Sequence, residues 1–305
     1  MKNMKDMETT KTAIKNGNTE IDWYGQPWNE RVFSHPERTI RVGTAFSGIG
    51  SPEMALQMLG VKHKIIFACD IDKPAKKSYM ANYSVRDWWD DVKTLDARQY
   101  KGMIDLFVAG VCCQPWSLAG KLEGLNDDRG QLFYQFARVI CECAPKVWIF
   151  ENVDNILNHK SEKDGKKVRT WSILMNDLKT KIQEAGLHYN INYRVLDASD
   201  YGIPQHRERV FCIGFLDETG EGKSDFLFPA PIKLEKSVID FLDDKTPGIR
   251  RLTARERISL MGFPKTFKQV VSDSQFSKQA GNSIVVDVMK AIYRQMDITK
   301  YGVEE

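Results

Sequence analysis

Short apolar runs alternate along this chain with segments of helical spacing. The apolar runs cover residues 39–46, 64–69, 105–109, 146–150 and 210–215, and a further strand is predicted at 190–196. The segments of helical spacing cover residues 52–59, 130–143 and 171–185. Short apolar runs bounded by turn or polar residues favour buried strands. The alternation therefore predicts an α/β sheet whose functional residues collect where the strands end.

The first predicted strand leads into a tight glycine turn, Ser47-Gly48-Ile49-Gly50-Ser51, and then into a helix that starts at Pro52. Proline suits a first helical turn, where its missing N–H costs nothing. Glycines let the backbone approach a cofactor closely, with helix N–H groups directed at it. The next strand ends at Asp70, a position from which a carboxylate can accept hydrogen bonds from ribose hydroxyls. Dinucleotide-binding proteins use the same logic, so this pattern alone does not identify the cofactor.

Two adjacent cysteines, Cys112 and Cys113, follow the strand predicted at residues 105–109. Reactive groups collect at this edge of an open α/β sheet. The polar segment at 117–129 contains Gly120 and Gly124 and resembles a mobile loop that could act as a lid. An isolated cysteine at a strand end also serves as a small core hydrophobe, so the position alone leaves nucleophile and core residue as alternatives.

The length and composition of the chain limit the class of protein. A chain of 305 residues with 42% hydrophobic residues can fill one large α/β domain and a smaller one. The net charge of +3 is compatible with a local nucleic-acid-binding patch without requiring one. The six cysteines and five histidines lack ligand spacing, which predicts neither a metal site nor a disulfide framework. No apolar run approaches the ~20 residues of a membrane span, and residues 1–17 are polar, so we expect a cytoplasmic protein.

The stretch Cys113-Gln114-Pro115-Trp116-Ser117 resembles the nucleophile motif of the cytosine-5 DNA methyltransferases. In that motif Pro-Cys-Gln is followed by Pro or Ala, an aromatic residue and Ser. The resemblance implies that Cys113 is the nucleophile and that Gln114 and Ser117 bind the substrate. The family proline is replaced here by Cys112, which stays a second candidate and removes the fixed φ of proline from the loop.

The cofactor motifs of the same family are also present. Phe46-Ser47-Gly48-Ile49-Gly50 resembles the Phe-x-Gly-x-Gly segment that holds S-adenosylmethionine, and Gly281-Asn282-Ser283 resembles the segment that closes the cofactor pocket. The resemblance assigns Asp70 to the ribose and Ile71 to the side of the adenine. Asp91 would contact the adenine edge, or it is a solvated carboxylate. The implied cofactor-binding residues are Phe46, Gly48, Gly50, Asp70, Ile71, Asp91, Val92, Asn282 and Ser283.

Two further motifs carry the predicted chemistry. Glu151-Asn152-Val153 ends a strand and matches the family's Glu-Asn-Val. Carbon 6 of cytosine becomes electrophilic only when ring nitrogen 3 is hydrogen-bonded or protonated, which calls for a carboxyl of raised pKa, here Glu151. The segment 200–209 matches Tyr-Gly-x-Pro-Gln-x-Arg-x-Arg, and its alternation directs Arg207 and Arg209 to one side. Their guanidinium groups would bind cytosine oxygen or phosphate and favour a thiolate, and the resemblance adds Asn152 and Gln205 as substrate-binding residues.

The resemblance covers residues 39–297 and implies a doubly wound, mostly parallel, Rossmann-like sheet with a small, reduced second domain. We expect an N-terminal extension at 1–38, disordered in its first part, and a catalytic and cofactor-binding domain at 39–215. A reduced recognition region would span 216–272, and a C-terminal helix would return to the catalytic domain at 273–305. The implied activity is methyl transfer from S-adenosylmethionine to carbon 5 of cytosine in DNA through a covalent cysteine adduct.

The main departure from the family pattern is a short recognition region. The family usually places many tens of residues between the two-arginine strand and the segment that corresponds here to Arg251-Leu252-Thr253-Ala254-Arg255-Glu256. Three explanations are open: short or relaxed specificity, which the intact catalytic motifs favour; a partner chain that supplies recognition; or a substrate other than duplex DNA. The alternative functions are an RNA (tRNA) cytosine-5 methyltransferase and a subunit that depends on such a partner.

For two segments outside these motifs the sequence leaves two interpretations open. The aromatic cluster at residues 21–28 either packs on the domain or stacks on bases. The basic run at residues 158–169 is either a solvated loop or a contact to the DNA backbone.

Overall fold

A seven-stranded sheet forms the centre of the computed structural model, which describes residues 27–111, 131–163, 165–220, 222, 225–243 and 250–304. Its strands in chain order are β1 Ile40–Ala45, β2 His63–Cys69, β3 Val85–Trp89, β4 Leu106–Gly110, β5 Val147–Val153, β8 Tyr189–Asp197 and β9 Glu208–Leu216. The spatial order is β3-β2-β1-β4-β5-β9-β8. Strands β1 to β5 pair in parallel, whereas β9 is antiparallel to both β5 and β8. The sheet is therefore mostly parallel, as the sequence predicted.

Helices cover both faces of this sheet. They are α1 Ser51–Met58, α2 Lys73–Asn82, α3 Leu132–Cys143, α4 Thr170–Glu184, α5 Ala254–Ser259, α6 Asp273–Asn282 and α7 Val286–Gln295. One apolar layer contains buried residues of α1, α5, α6 and α7, and the other contains those of α3 and α4. This arrangement confirms the predicted doubly wound architecture.

The alternation of side chains along β5 shows why its sequence is apolar throughout. Val147 and Ile149 belong to the first layer, whereas Trp148 and Phe150 belong to the second. Successive residues of a strand point to opposite faces, so a strand covered on both sides needs apolar residues at every position. The run ends at Glu151, where β5 reaches the edge at which the parallel strands terminate.

The structure gives a defined backbone to the basic run at residues 158–169, for which the sequence left a solvated loop and a DNA-backbone contact open. The structure forms an antiparallel hairpin there, with strands β6 Lys160–Lys163 and β7 Lys166–Arg169. Gly165 has a φ of 72°, which glycine adopts without strain. The Asp164-Gly165 dipeptide is a strong hairpin signal, but the density of charged residues concealed it.

The C-terminal part of the chain packs on the same core as the first strand. Ile258, Phe276 and Ile292 share one apolar cluster with Ile40 and Val42. The predicted C-terminal helix at 273–305 is divided in two, because α6 ends at Asn282 and α7 starts at Val286. No helix within the described ranges is long and apolar enough to cross a membrane.

The aromatic cluster near the N-terminus lies mostly outside the described residues. Its last member, Trp28, is buried, and its ring centroid lies 6.3 Å from that of Tyr201. Trp28 therefore packs on the domain.

Candidate functional site

A cavity of about 540 Å³ lies at the carboxyl edge of the sheet. Cavities of roughly 300–1,000 Å³ are typical of cofactor and small-ligand sites. Predicted site residues from distant parts of the chain line it together: Phe46, Gly48, Asp70, Ile71, Asp91, Val92, Glu151, Arg207, Arg209, Asn282 and Ser283. The parallel strands end at this edge and β9 begins there, which explains why these residues meet.

The glycine turn between β1 and α1 requires left-handed backbone. Phe46, Gly48 and Gly50 have φ values of 55°, 54° and 82°. At Gly50 a Cβ atom would lie 2.3 Å from Cε2 of Tyr83, so this position excludes any side chain. Gly50 does not line the cavity but is the residue preceding α1, where Tyr83 Oη donates a 2.8 Å hydrogen bond to its carbonyl oxygen. Gly50 therefore shapes the turn that Gly48 presents to the cavity.

Asp70 links the tip of β2 to that turn. Its Oδ2 accepts a 2.7 Å hydrogen bond from the backbone N–H of Gly48, and its Oδ1 accepts one of 2.8 Å from Asp72. Burial raises the pKa of Asp70, and these two backbone hydrogen bonds oppose the rise. The carboxylate is thereby fixed at the cavity wall, where the ribose contact was predicted.

A buried carboxyl behind the glycine turn was not predicted. Glu53 is fully buried in α1, and its Oε1 accepts hydrogen bonds from Tyr79 Oη at 2.6 Å and from Thr44 Oγ1 at 2.9 Å. Thr44 Oγ1 lies 2.7 Å from Ser47 Oγ, which accepts a 2.9 Å hydrogen bond from the N–H of Cys69. Desolvation raises the pKa of Glu53. The network joins the ends of β1 and β2, the two strands that carry the turn and Asp70.

The adenine side of the predicted site contains Ile71, Asp91 and Val92, and all three line the cavity. Ile71 is 76% exposed, an unusual position for a large apolar side chain and one that a flat ring could cover. Asp91 accepts a 2.9 Å hydrogen bond from the N–H of Lys93 through Oδ1, so its carboxylate also stabilises a local turn. The adenine contact of Asp91 stays a prediction.

The C-terminal wall of the cavity is formed by the end of α6 and the residues after it. Arg207 Nη2 donates to the carbonyl oxygens of Gly281 at 3.0 Å and Ser283 at 2.9 Å, which ties this wall to the start of β9. Gln279 also lines the cavity and was not predicted. It is 6% exposed, its Oε1 accepts from Ser78 Oγ at 3.0 Å, and its Nε2 has no hydrogen-bond partner among the described residues. A buried donor without a partner suits a polar ligand in the cavity.

The acid expected to activate the substrate is buried at the same edge. Glu151 is 8% exposed, and its Oε1 lies 3.3 Å from Nε of Arg209. Burial raises the pKa of Glu151, whereas the positive charges of Arg209 and Arg207 oppose the rise. Because burial is the larger effect, the carboxyl favours its protonated form more than a solvated glutamate does. A protonated carboxyl can donate a hydrogen bond into the cavity.

The side chains of two residues predicted to bind substrate form hydrogen bonds within the protein instead. Asn152 is fully buried, donates a 3.0 Å hydrogen bond from Nδ2 to the carbonyl oxygen of Val111, and accepts one of 2.9 Å from the N–H of Val153. Gln205 Nε2 lies 3.4 Å from the carbonyl oxygen of Leu260. Neither residue lines the cavity. Their substrate contacts therefore stay predictions, and Asn152 fixes the backbone just before the cysteine pair.

The predicted residues Cys112, Cys113, Gln114 and Ser117 lie outside the described residues. The described chain reaches the start of this segment beside the acid, because Gly110 of β4 is the register partner of Glu151 of β5. Val111, the last described residue before the cysteines, is 2% exposed and lines the cavity.

Comparisons with known proteins agree with this geometry. A family model described as C-5 cytosine-specific DNA methylase matches residues 40–247 and 243–297. The Type II methyltransferase M.SsoII of Shigella sonnei is 31% identical, and the match covers 81% of this chain and 77% of the relative. The Type II methyltransferase M.NgoBI of Neisseria gonorrhoeae is 29% identical, and the match covers 81% of this chain and 89% of the relative.

Solved structures share the fold at lower sequence identity. The S. pombe Dnmt2 methyltransferase superposes with a TM-score of 0.63 at 19% identity, covering 84% of this chain and 98% of that chain. The Entamoeba histolytica methyltransferase EhMeth superposes with a TM-score of 0.65 at 15% identity, covering 85% of this chain and 98% of that chain. These likenesses confirm the predicted Rossmann-like methyltransferase sheet.

Proposed function

Because this chain belongs to the C-5 cytosine-specific DNA methylase family, we propose that it methylates carbon 5 of cytosine in DNA through a covalent adduct on Cys113. The observation that carries the proposal is the pair of buried Glu151 and half-buried Arg209, 3.3 Å apart, in the wall of the cavity that Gly48 and Asp70 also line. An acid of raised pKa next to a fixed guanidinium suits the activation of a pyrimidine ring.

The residues around the cavity fit S-adenosylmethionine, the cofactor on which this family depends. The glycine turn would approach it through backbone, Asp70 would accept the ribose hydroxyls, and the unpartnered Nε2 of Gln279 offers a buried donor. Ile71 and Val92 would cover the adenine, and the end of α6 would close the pocket through Asn282 and Ser283. When bound, the cofactor supplies the electrophilic methyl group.

Glu151 and Arg209 would bind the target base. A cytosine inside a duplex is inaccessible, so the base must be flipped out of the stack into the site. The protonated carboxyl of Glu151 would donate its proton to ring nitrogen 3, and Arg209 would donate hydrogen bonds to the carbonyl oxygen. Both contacts withdraw electrons from the ring and make carbon 6 electrophilic.

Cys113 would then add to carbon 6 as a thiolate, which leaves carbon 5 nucleophilic enough to take the methyl group. Loss of the proton from carbon 5 and elimination of the thiolate restore the aromatic ring and free the enzyme. The pairing of Gly110 with Glu151 and the hydrogen bond from Asn152 to Val111 support this role, since both fix the chain just before the cysteine pair.

For target selection we propose a short or relaxed sequence specificity, with recognition by a partner chain as the competing model. The described part of the region between β9 and α5 has one short element, the 3-10 helix Val238–Phe241. Exposed apolar residues occur in the same region, at Leu227, Leu234, Val238 and Ile239. Exposed apolar residues that cluster often mark an interaction site, which gives the partner model a specific basis. Sequencing of DNA methylated by the purified chain separates the two models.

The decisive experiment is a covalent trap. Duplex DNA that carries 5-fluorocytosine should stall on the enzyme in the presence of cofactor, because fluorine cannot leave as the carbon 5 proton does. We expect mass spectrometry to recover the DNA attached to Cys113, no adduct with Cys113→Ala, and a retained adduct with Cys112→Pro. An adduct on Cys112, or full activity in Cys113→Ala, would refute the assignment, and transfer RNA in a parallel reaction tests the RNA alternative.

A further inference from the structure

The β6–β7 hairpin is held rigidly on the body of the protein. His159 Nδ1 lies 2.7 Å from Thr170 Oγ1, and Ser161 Oγ lies 2.8 Å from the same oxygen. Ser161 is buried, so its side of β6 faces the protein, whereas its register partner Val168 on β7 is 37% exposed. Since side chains alternate along a strand, the neighbouring positions face outward. Thr170 therefore anchors β6 to the body of the protein, and Lys160, Glu162, Lys167 and Arg169 lie on the solvent side of the hairpin.

That outward face carries three cations and one acid. Lys160 lies directly opposite Arg169 in the register, and Lys167 lies opposite Glu162. Like charges that oppose each other across two strands are destabilising, as in Lys160 and Arg169. The opposite charges of Glu162 and Lys167 attract, so the face keeps an excess of positive charge. Lys160, Lys167 and Arg169 are all exposed.

The position of Arg169 adds to this repulsion. Arg169 is the N-cap residue of α4, a helix of 15 residues. The N-terminus of a helix carries partial positive charge, which favours an anion there and disfavours a cation. The three cations and the helix end thus act in the same direction, and an external anion would relieve the repulsion.

The segments that join the hairpin to the sheet place it near Glu151 and Arg209. Strand β5 ends at Val153, the 3-10 helix Asp154–Leu157 follows, and the hairpin starts at Lys160. Strand β9, which begins with Glu208 and carries Arg209, is the neighbour of β5. The hairpin therefore leaves the sheet at the edge that holds Glu151 and Arg209, in the half of the sheet away from β2 and β3.

We propose that the outward face of this hairpin, formed by Lys160, Lys167 and Arg169, binds the phosphate backbone of the DNA whose cytosine enters the site. The proposal rests on the proposed function, since it assumes a DNA substrate. Backbone contacts of this kind position a duplex without reading its sequence. They would suit a chain with a reduced recognition region, because affinity for DNA then depends more on phosphate contacts.

The test compares two variants of equal charge change by fluorescence anisotropy with a labelled DNA duplex across a range of salt concentrations. The first is Lys160→Gln/Lys167→Gln/Arg169→Gln. The control is Lys62→Gln/Lys179→Gln/Lys181→Gln, which removes exposed cations from the residue before β2 and from the second half of α4. Circular dichroism and thermal melting verify that both variants fold.

We expect the hairpin variant to bind DNA roughly tenfold more weakly at about 0.1 M salt, with a salt slope reduced by about 2 to 3, since each phosphate contact contributes about 0.9. Cofactor affinity and the rate at saturating DNA should stay within about twofold, because phosphate contacts position the duplex and do not act in the chemical step. The control should keep the affinity and slope of the wild type.

Equal losses in the two variants, or an unchanged slope in the hairpin variant, would overturn the proposal. A hairpin variant that loses affinity for transfer RNA and keeps its affinity for duplex DNA would also overturn it. Failure of the proposed function gives a different result, in which the wild type binds DNA with the expected hairpin dependence and methylates none.

Discussion

The backbone N–H of Gly48 donates a 2.7 Å hydrogen bond to Oδ2 of Asp70. This bond joins the turn after β1 to the tip of β2, two segments that the sequence separates by 22 positions. The other carboxylate oxygen accepts from the N–H of Asp72. The side chain expected to contact the ribose therefore also fixes the glycine turn, so its loss should affect both parts of the cofactor site.

Substitution of Asp70 should weaken cofactor binding even when the side-chain shape is kept. In Asp70→Asn one carboxylate oxygen becomes an NH2 group, which would face a backbone N–H of Gly48 or Asp72. Hydrogen bonds to charged groups contribute about 1.5–3 kcal/mol, so we expect the Kd for S-adenosylmethionine to rise roughly 10- to 100-fold. Isothermal titration calorimetry measures the change. Asp90→Asn, at an exposed acid outside the cavity, is the control, and an equal loss in it would contradict this role.

Glu151, near the end of β5, should control how the methylation rate falls at high pH. Burial raises the pKa of Glu151, and the proposed chemistry needs its protonated form. The contribution of Glu151 to the rate should therefore be present at low pH and disappear as the pH rises through the raised pKa. Glu151→Gln keeps a neutral donor but cannot transfer a proton, so we expect single-turnover rates to fall by about 100-fold or more and the decline at high pH to vanish. Unchanged cofactor affinity excludes misfolding, and a decline in the variant like that of the wild type would count against the assignment.

The amide of Asn152 should matter for the rate rather than for cofactor binding. It donates to the carbonyl oxygen of Val111, the residue before Cys112 and Cys113. Asn152→Ala would leave that buried oxygen without this donor, at a cost of about 1–3 kcal/mol. We expect trapping by 5-fluorocytosine DNA to slow about tenfold or more, since 1.4 kcal/mol corresponds to a factor of ten, while the Kd for S-adenosylmethionine is unchanged. A parallel loss of cofactor affinity would instead indicate a general structural role.

The sequence predicted the sheet from local patterns, and the resemblance to the methyltransferase family supplied most of the residues that line the cavity. The apolar runs specify strands, and residues at strand ends such as Asp70 and Glu151 meet at one edge whatever the loops do. The hydrogen-bond partners of individual side chains could not be predicted in the same way. Asn152 follows Glu151 along β5, but its amide donates to the carbonyl oxygen of Val111, the residue after the neighbouring strand β4, which no local pattern records.

Two other features escaped prediction for physical reasons. The hairpin at Lys160–Lys163 and Lys166–Arg169 has charged residues on its outward face, so its alternation does not appear as a hydrophobic period. Glu53 accepts hydrogen bonds from Thr44 and Tyr79, which lie 9 and 26 positions away in the sequence. An acid in the first turn of a helix is ordinarily solvated, so its sequence position did not indicate burial. Its burial depends on the packing of α1 against α7, which the sequence of α1 alone does not specify.

The buried carboxyl of Glu53 should make folding stability depend on pH in a defined direction. Desolvation raises its pKa in the folded state above the ~4.3 expected in the unfolded chain. Below that unfolded value both states are protonated and the residue has no effect. As the pH rises from there through the folded pKa, the unfolded chain releases its proton first, so stability falls by about 1.4 kcal/mol for each pH unit between the two pKa values.

Glu53→Gln isolates this effect, because the amide oxygen still accepts from Thr44 and Tyr79 but does not titrate. Urea denaturation measures the free energy of unfolding of both proteins from pH 4.5 to pH 8, a range that lies above the ordinary glutamate pKa of ~4.3. We expect the value for the wild type to fall relative to that for Glu53→Gln as the pH rises. All other groups titrate alike in the two proteins and cancel in the difference. A difference that stays constant across this range, or that favours the wild type at higher pH, would show that Glu53 is ionised in the folded protein and that the network behind the glycine turn is an anionic one.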